Sequence, residues 1–405
     1  MRIAIIARRA QGINGTGGME RGATEIALSL HRLGHEVELV TSTPAAAPAA
    51  AQTTRASGAA FGLPFPVTLL PPRQRAGLRG WLDYRPWVRA VARHVEARPP
   101  DFIVSFYGDV AALPPGGPPV LLFTYGLEWY VTPGLHGLGL RALYGPLGLA
   151  AIERSRYLGT CGAVHLGRLY EVAGRRLRPD AEAVHVANWT PDGANWTPEA
   201  VGSGGLPFPT RAEARAALGV PPEAVVLGVV SRLARDKALD VAVRAVRAVR
   251  AEVPGLLFLV AGDGPERTAL EAAAGGDPGI RFLGRVDDAT ARAVMRAADA
   301  SVSVARTQYQ LFTVIEALSM GVPVLCAYAE RQEGLIKEGV TGFVLPRPDE
   351  ASTARALRRL VSMPPEARAA ISAACEREVA SGYRLADAAA TIDAVARRAV
   401  TGAGG

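Results

Sequence analysis

Two cationic side chains, Arg232 and Lys237, stand close together in the segment Ser231-Arg-Leu-Ala-Arg-Asp-Lys237, directly after the apolar run Val225 to Val230. A guanidinium is a planar fork and an ammonium a point charge, and together they suit a diphosphate. The chain takes almost all of its positive charge from arginine and has only two lysines, Lys237 and Lys337, so a lysine at this place is informative. Further on, Glu316 is the only acidic residue of a helical stretch that also holds Val314, Ile315, Ala317 and Leu318. A carboxylate among such neighbours needs a partner, and paired ribose hydroxyls would satisfy it, as would a structural salt bridge. The start of that stretch, Leu311, Phe312 and Thr313, would turn a helix amino terminus toward phosphate. Gly264 in Ala261-Gly-Asp-Gly-Pro265 and Val286 in Phe282-Leu-Gly-Arg-Val286 each end a strand and would offer backbone groups to a nucleotide, or simply make turns.

A second glycine-rich segment, Gln11-Gly-Ile-Asn-Gly-Thr-Gly-Gly-Met-Glu-Arg21, follows the first apolar run. Gly17 and Gly18 there lead into a helix, so backbone amides and a helix terminus can approach an anion or a sugar, although a tight turn would use the same glycines. The segment lacks a Walker lysine and an orderly dinucleotide fingerprint, which sets phosphorylation and hydride transfer aside. Residues Arg73 to Arg93 combine basic charge with Trp81, Tyr84 and Trp87. Such a stretch can lie on an anionic membrane and meet a lipid-linked acceptor, or face a core as an ordinary helix. His136 and His165 read as packing or surface residues.

The elements that must position these residues repeat in two series. Apolar β-type runs alternate with amphipathic helical stretches, the pattern of a parallel sheet covered on both faces. The first series has strands near 2–7, 36–42, 67–71, 102–107, 119–125 and 183–187, with helices near 20–33, 81–97 and 140–155. The second has strands at 225–230, 256–261, 280–283, 300–304, 322–326 and 342–345. At 405 residues the chain exceeds what one core supports. The expected organisation is an α/β protein with an N-terminal Rossmann-like domain over 1–200, a linker over 201–221, a second such domain over 222–383, and a C-terminal helix over 384–405 that packs back on the first. Residues 43–60 read as a mobile surface loop. Two doubly wound domains facing one another would bring the carboxyl ends of both sheets to one cleft, where ligands bind.

Composition excludes several classes. The formal charge of +7 arises from 45 basic and 38 acidic residues spread along the chain, without a basic run interleaved with stacking aromatics, so no nucleic-acid partner is expected. Cys161, Cys326 and Cys375 lie too far apart for zinc spacing and suggest no disulfide framework, and no metal site or cofactor is expected. The amino terminus is apolar for too few residues to be a signal sequence, and no apolar run reaches the roughly 20 residues of a spanning helix, so the expected location is cytoplasmic, with peripheral contact at the inner face of the membrane through 73–93.

Taken together, these segments resemble the retaining glycosyltransferases of family 4, a GT-B family. Gly-Gly-Met-Glu-Arg at 17–21 with Leu-Gly-His-Glu-Val at 33–37 is similar to its amino-terminal signature, Arg232 and Lys237 to its phosphate-binding pair, and Glu316 to the second member of its paired-Glu motif. Gln308 stands at the first Glu of that pair, Tyr125 at a His position in Phe123-Thr-Tyr-Gly-Leu-Glu-Trp129, and Trp189 at a Gly after Asn188. Glu333 with Gly339-Val-Thr-Gly-Phe343 is similar to the strand-turn that follows. The resemblance implies a metal-independent transferase that moves a hexose-type sugar from a nucleoside diphosphate, held by the second domain, to a glycan, lipid-linked or small-molecule acceptor along the first. It also implies catalytic places for Arg232, Lys237, Gln308 and Tyr125. An uncharged Gln and a weakly basic Tyr keep a second reading open, a non-catalytic nucleotide-sugar-binding relative. Another GT-B enzyme, such as a nucleotide-sugar epimerase or a phosphorylase, is a third.

Overall fold

The structure is a computed structural model and describes residues 1–14, 18–44, 53–71, 83–106, 108–123, 134–161, 163–189, 209–305, 312–332 and 334–402. The chain forms two compact units, one of residues 1–187, 199–204 and 385–405, the other of 188–198 and 205–384.

In the first unit the elements run β1 (Arg2–Ile6), α1 (Gly18–Arg32), β2 (Glu36–Ser42), β3 (Thr54–Ala56), β4 (Val67–Leu70), α2 (Tyr84–Ala97), β5 (Phe102–Phe106), β6 (Val120–Phe123), α3 (Gly134–Arg154), β7 (Tyr157–Thr160), α4 (Ala163–Ala173) and β8 (Glu182–His185). They build a sheet in the order β3-β4-β2-β1-β5-β6-β7-β8, parallel except for β3 against β4. Strands β5, β6 and β7 are buried at every position, which is why they read as unbroken apolar runs rather than alternating ones. The chain leaves β1 toward β2 on one side and returns to β5 on the other, so the sheet reverses its winding between β1 and β5.

The second unit contains α5 (Arg211–Ala217), β9 (Val225–Val230), α6 (Leu239–Arg250), β10 (Leu256–Ala261), α7 (Arg267–Ala274), β11 (Ile280–Gly284), α8 (Asp288–Ala297), β12 (Ala300–Ser303), α9 (Phe312–Ser319), β13 (Val324–Ala327), β14 (Gly342–Leu345), α10 (Glu350–Ser362) and α11 (Pro365–Ala380). Its sheet, β11-β10-β9-β12-β13-β14, is parallel throughout and reverses between β9 and β12. Val226, Leu227, Phe258, Leu259, Ile315 and Leu325 form the centre of its core.

Helix α12 (Leu385–Thr401) groups with the first unit. It presents Ile392, Val395 and Ala396 to the interior. His35 Nε2 and Asp393 Oδ1 lie 2.7 Å apart, and Arg398 donates to the Glu182 carboxylate.

Three expectations change. The stretch 201–221, read as a linker, contains α5, which belongs to the second unit. Thr210 and Glu213 close a capping box at its start, and Ala214 packs on Ala293 and Ala297 of α8. Its buried face is one alanine and one arginine, Ala214 and Arg215, so it lacked the bulky apolar periodicity that marks a helix. The loop expected at 43–60 holds β3 and a 3₁₀ turn, Gly58–Phe61, fixed by a Ser57 cap. In the basic aromatic stretch 73–93, Tyr84 and Trp87 are buried in the core of the first unit, so they cannot reach a membrane. Trp81 lies outside the described residues.

Candidate functional site

The second unit concentrates its features at the β9/β12 reversal, the place where open α/β sheets bind ligands. A small recess opens there, and Ser231, Lys237, Ser303, Ala305 and Thr313 are among its walls. Lys237 ends a 3₁₀ turn, Arg235–Lys237, with its amide bonded to the Ala234 carbonyl at 2.9 Å. Its side chain is 18% exposed and its Nζ lies 4.0 Å from Asp236 Oδ2. Arg232 is far more open, at 66%, with Nη2 3.4 Å from Asp236 Oδ1. Asp236 thus sits between two cations and limits their repulsion while no anion is bound.

The chain turns from Lys237 into α6 through Ala238, whose φ of 51° is left-handed. That conformation costs a non-glycine residue about 1 kcal/mol or more, and alanine is also a poor helix cap. Ala238→Gly is therefore expected to raise unfolding stability, by up to about 1 kcal/mol, in denaturant titrations. A loss of stability would mean that the buried methyl group outweighs the strain.

Gly264 and Gly262 have a packing reason to be glycine. A Cβ on Gly264 would stand 2.3 Å from the Leu233 carbonyl oxygen, and one on Gly262, at φ 133°, 1.8 Å from that of Ser231. The two loops are joined by Ser231 N to Ala261 O and Leu233 N to Asp263 O, both 3.0 Å. The β10 loop is thus the support on which the Arg232 segment rests. Val286 follows the edge strand β11, half-buried against the core, and is not among the residues that line the recess.

Helix α9 begins at Phe312, and Thr313 in its first turn lines the recess. Glu316, one turn later, is half-buried, with Val314, Ile315, Ala317 and Leu318 buried around it. Trp189, fully buried, packs edge-on against Phe312 with ring centroids 5.4 Å apart. It anchors the helix start, a role that no local signal in the sequence announces. Gln308 and Leu311, like Gly17, Tyr125 and Glu333, lie outside the described residues.

The first unit has its own reversal point. Asn14 secures the β1–α1 loop there: its Oδ1 accepts from the Ala10 amide at 2.8 Å, and its Nδ2 donates to the carbonyls of Ser42 and Arg8. Gly18 opens α1. After β5, Asp109 is wholly buried, and its Oδ2 accepts from the Arg8 amide at 3.0 Å. Its Oδ1 has no hydrogen bond of good geometry, with Trp87 and Tyr84 as looser donors nearby. Burial pushes this carboxyl up to about 6.

Because the native state holds the Asp109 proton more tightly than the unfolded chain, its contribution is complete below about pH 4 and is lost as pH rises through about 6. The expected decline is at most about 1.4 kcal/mol per pH unit in that window. Asp109→Asn should flatten it in denaturation curves, and an unchanged slope would contradict the burial argument.

Among the described residues no group of three or more His, Cys, Asp or Glu could hold a metal ion, and no helix is long and apolar enough to cross a membrane.

Comparison with known proteins matches residues 16–158 to the family model Glycosyltransferase Family 4 and residues 224–363 to Glycosyl transferases group 1. D-inositol 3-phosphate glycosyltransferase of Saccharomonospora viridis is 32% identical over 223 residues, 52% of this chain and 47% of that protein. The match spans about half the length of that relative. Sucrose-phosphate synthase of Thermosynechococcus elongatus superposes with a TM-score of 0.78 at 16% identity, covering 99% of both chains. Anabaena HepE, solved with UDP-glucose, gives 0.69 at 16% identity, covering 98% of this chain and 99% of that one.

Proposed function

The chain belongs to the family 4 glycosyltransferases and has the GT-B fold, and from that premise we propose that it moves a hexose-type sugar from a nucleoside-diphosphate sugar to a hydroxylated acceptor, with retention. The observation that carries the donor half of the reading is Lys237 in the recess at the β9/β12 reversal, beside Thr313 of the α9 amino terminus. As the glycosidic bond breaks, negative charge grows on the departing diphosphate. A part-buried ammonium and a helix start aimed at that charge gain more from the transition state than from the ground state. Arg232 adds an open guanidinium for the outer phosphate, and Glu316 a carboxylate for ribose hydroxyls. In this reading the diphosphate charge is met by these groups, without a metal. The Anabaena structure makes a uridine nucleotide the first donor to try, and the inositol-phosphate relative makes a phosphorylated polyol the first acceptor.

Retention follows in this reading when acceptor and leaving group use one face of the sugar. The exposed arginines of α2, Arg85, Arg89 and Arg93, repeat along one side of the helix and support electrostatic contact with an anionic surface at a cytoplasmic membrane face.

The test is a panel of nucleotide sugars read by thermal shift and by donor consumption. A donor at 100 times its Kd stabilises by about 2.7 kcal/mol, enough for a clear Tm rise. A Tm rise with sugar transfer to an acceptor, unaffected by chelator, is the expected result. A Tm rise with no donor consumed by any acceptor would replace the proposal with a non-catalytic sugar-nucleotide binder, the reading favoured by Gln308 and Tyr125.

A further inference from the structure

We propose that Trp189 is a positioning residue for the donor: it fixes the start of α9, and with it the helix end that meets the outer phosphate of the nucleotide. This rests on the reading of the recess at the β9/β12 reversal as a donor site, and adds to it a residue that lies in no strand or helix.

Helix α9 is eight residues long, too short to hold its shape in water alone, so each part of it depends on what packs against it. Its body is secured by Val314, Ile315, Ala317 and Leu318, all members of the second unit's core. Its start is secured differently. Phe312, the first residue, is half-buried, and neither it nor Trp189 is among the described residues that make up that core. The two rings pack on one another instead, with 5.4 Å between centroids and 86° between planes, the edge-to-face arrangement that aromatic quadrupoles favour. Trp189 is also among the largest fully buried side chains of the protein, although it stands in an irregular segment four residues after β8. At this place the family resemblance leads to a glycine, which would offer Phe312 no ring.

The consequence falls on Thr313, one peptide bond further on, which lines the recess together with Lys237. The first amides of a helix have no partner within it and are the groups it offers to an anion. They stabilise a departing diphosphate only if they are already in place, and a displacement of about 1 Å can cost a factor of about 10² in rate. Glu316 is placed by other means, because its neighbours Ile315 and Ala317 are held in the core. Loosening the start of α9 should therefore be felt by the outer phosphate and not by the ribose.

Titration calorimetry of the full chain with UDP against UMP, GDP against GMP and ADP against AMP reads the outer phosphate as a ratio of affinities for the base that binds. The unaltered protein should prefer the diphosphate by about tenfold or more. Trp189→Ala should cut that ratio to about threefold by weakening the diphosphate, with the monophosphate within about twofold of its original affinity. Phe312→Ala should do the same, the double variant should lose little more, and Trp189→Phe, which still presents a ring, should recover part of the ratio. Leu360→Ala, on the buried face of α10, should lower Tm and leave the ratio alone, which separates lost stability from lost position. In steady-state kinetics Trp189→Ala should lower kcat by about tenfold and keep donor KM within about threefold, because the charge on the outer phosphate is complete only in the leaving group. If Trp189→Ala does not fold, Phe312→Ala carries the same test with the indole in place. An unchanged ratio in both variants, or equal losses for diphosphate and monophosphate, overturns the inference and leaves Trp189 a packing residue. No diphosphate preference with any base in the unaltered protein overturns it together with the donor site. Sugar transfer, read separately, tells the two readings apart: transfer with an unchanged ratio sinks only the role of Trp189, and a Trp189-dependent ratio without transfer sinks only the transferase.

Discussion

Lys237→Ala is expected to lower kcat by about 10²–10³, the usual loss when one preorganised charge is removed from a developing anion, while the protein remains folded. The side chain is 18% exposed and lines the recess at the β9/β12 reversal, so its field acts where water is partly excluded. No second cation lines that recess among its described walls. Arg232→Ala should behave differently. At 66% exposed it works through solvent, and its loss should appear mainly in KM for the donor, by about tenfold, with a smaller change in kcat. Steady-state kinetics for both variants, with circular dichroism and Tm as controls of folding, separates the two roles. If Lys237→Ala keeps kcat within threefold of the wild type, the diphosphate is not where this account puts it. Lys237→Arg is a useful companion, because a fork cannot replace a point charge at the end of a short turn without moving the Arg235–Lys237 backbone.

The sequence made this site legible because its parts are local. A strand of continuous apolar residues, a break, and a cation pair are written side by side at 225–237, and the parallel topology follows from the alternation of such strands with helices. Thr313 was legible as a helix start for the same reason. What escaped was non-local or atypical. Helix α5 hides in a polar, alanine-rich stretch because its packing partner is an equally small-sided face of α8. Strand β7 is only four residues long and ends in Gly-Thr, too short for its periodicity to show. Trp189 holds Phe312, and Asp109 holds the amide of Arg8, across gaps in sequence that no motif bridges. Tyr84 and Trp87 sit in a segment whose arginines suggested a wet surface, yet they alternate with those arginines around α2 and face inward. Charge content is a property of a segment, whereas exposure is a property of a face.

Asp299→Ala should destabilise the second unit by about 3–5 kcal/mol, the cost of stranding a buried partner charge. Asp299 precedes β12 and is buried, with three arginines converging on it. Arg215 Nη2 of α5 reaches its Oδ2 at 2.8 Å, Arg211 of the same helix binds Oδ1, and Arg368 Nη1 of α11 lies 3.6 Å from Oδ1. The Val226 amide also donates to Oδ2 at 2.8 Å, while the Asp299 amide donates back to the Val226 carbonyl at 2.7 Å. One carboxylate therefore ties α5, β9 and α11 to the strand at the reversal point. Arg215 is only 8% exposed, and burial first, then the neighbouring Arg211, already pushes its guanidinium below its ordinary value. Without Asp299 that charge would keep bonds to the Ala297 and Pro222 carbonyls but lose its only counterion among these contacts. Asp299→Asn should fall between, because an amide oxygen can still accept from Val226 but carries no charge to offset three cations. A cycle with Arg215→Met isolates the pair: the double variant Asp299→Asn/Arg215→Met should regain part of the stability lost in Asp299→Asn alone. Denaturant unfolding measures each step, and a loss below 1 kcal/mol in Asp299→Ala would show that the arginines rehydrate by moving α5 away. In that event kcat should fall as well, since β9 and β12 carry the walls around Lys237.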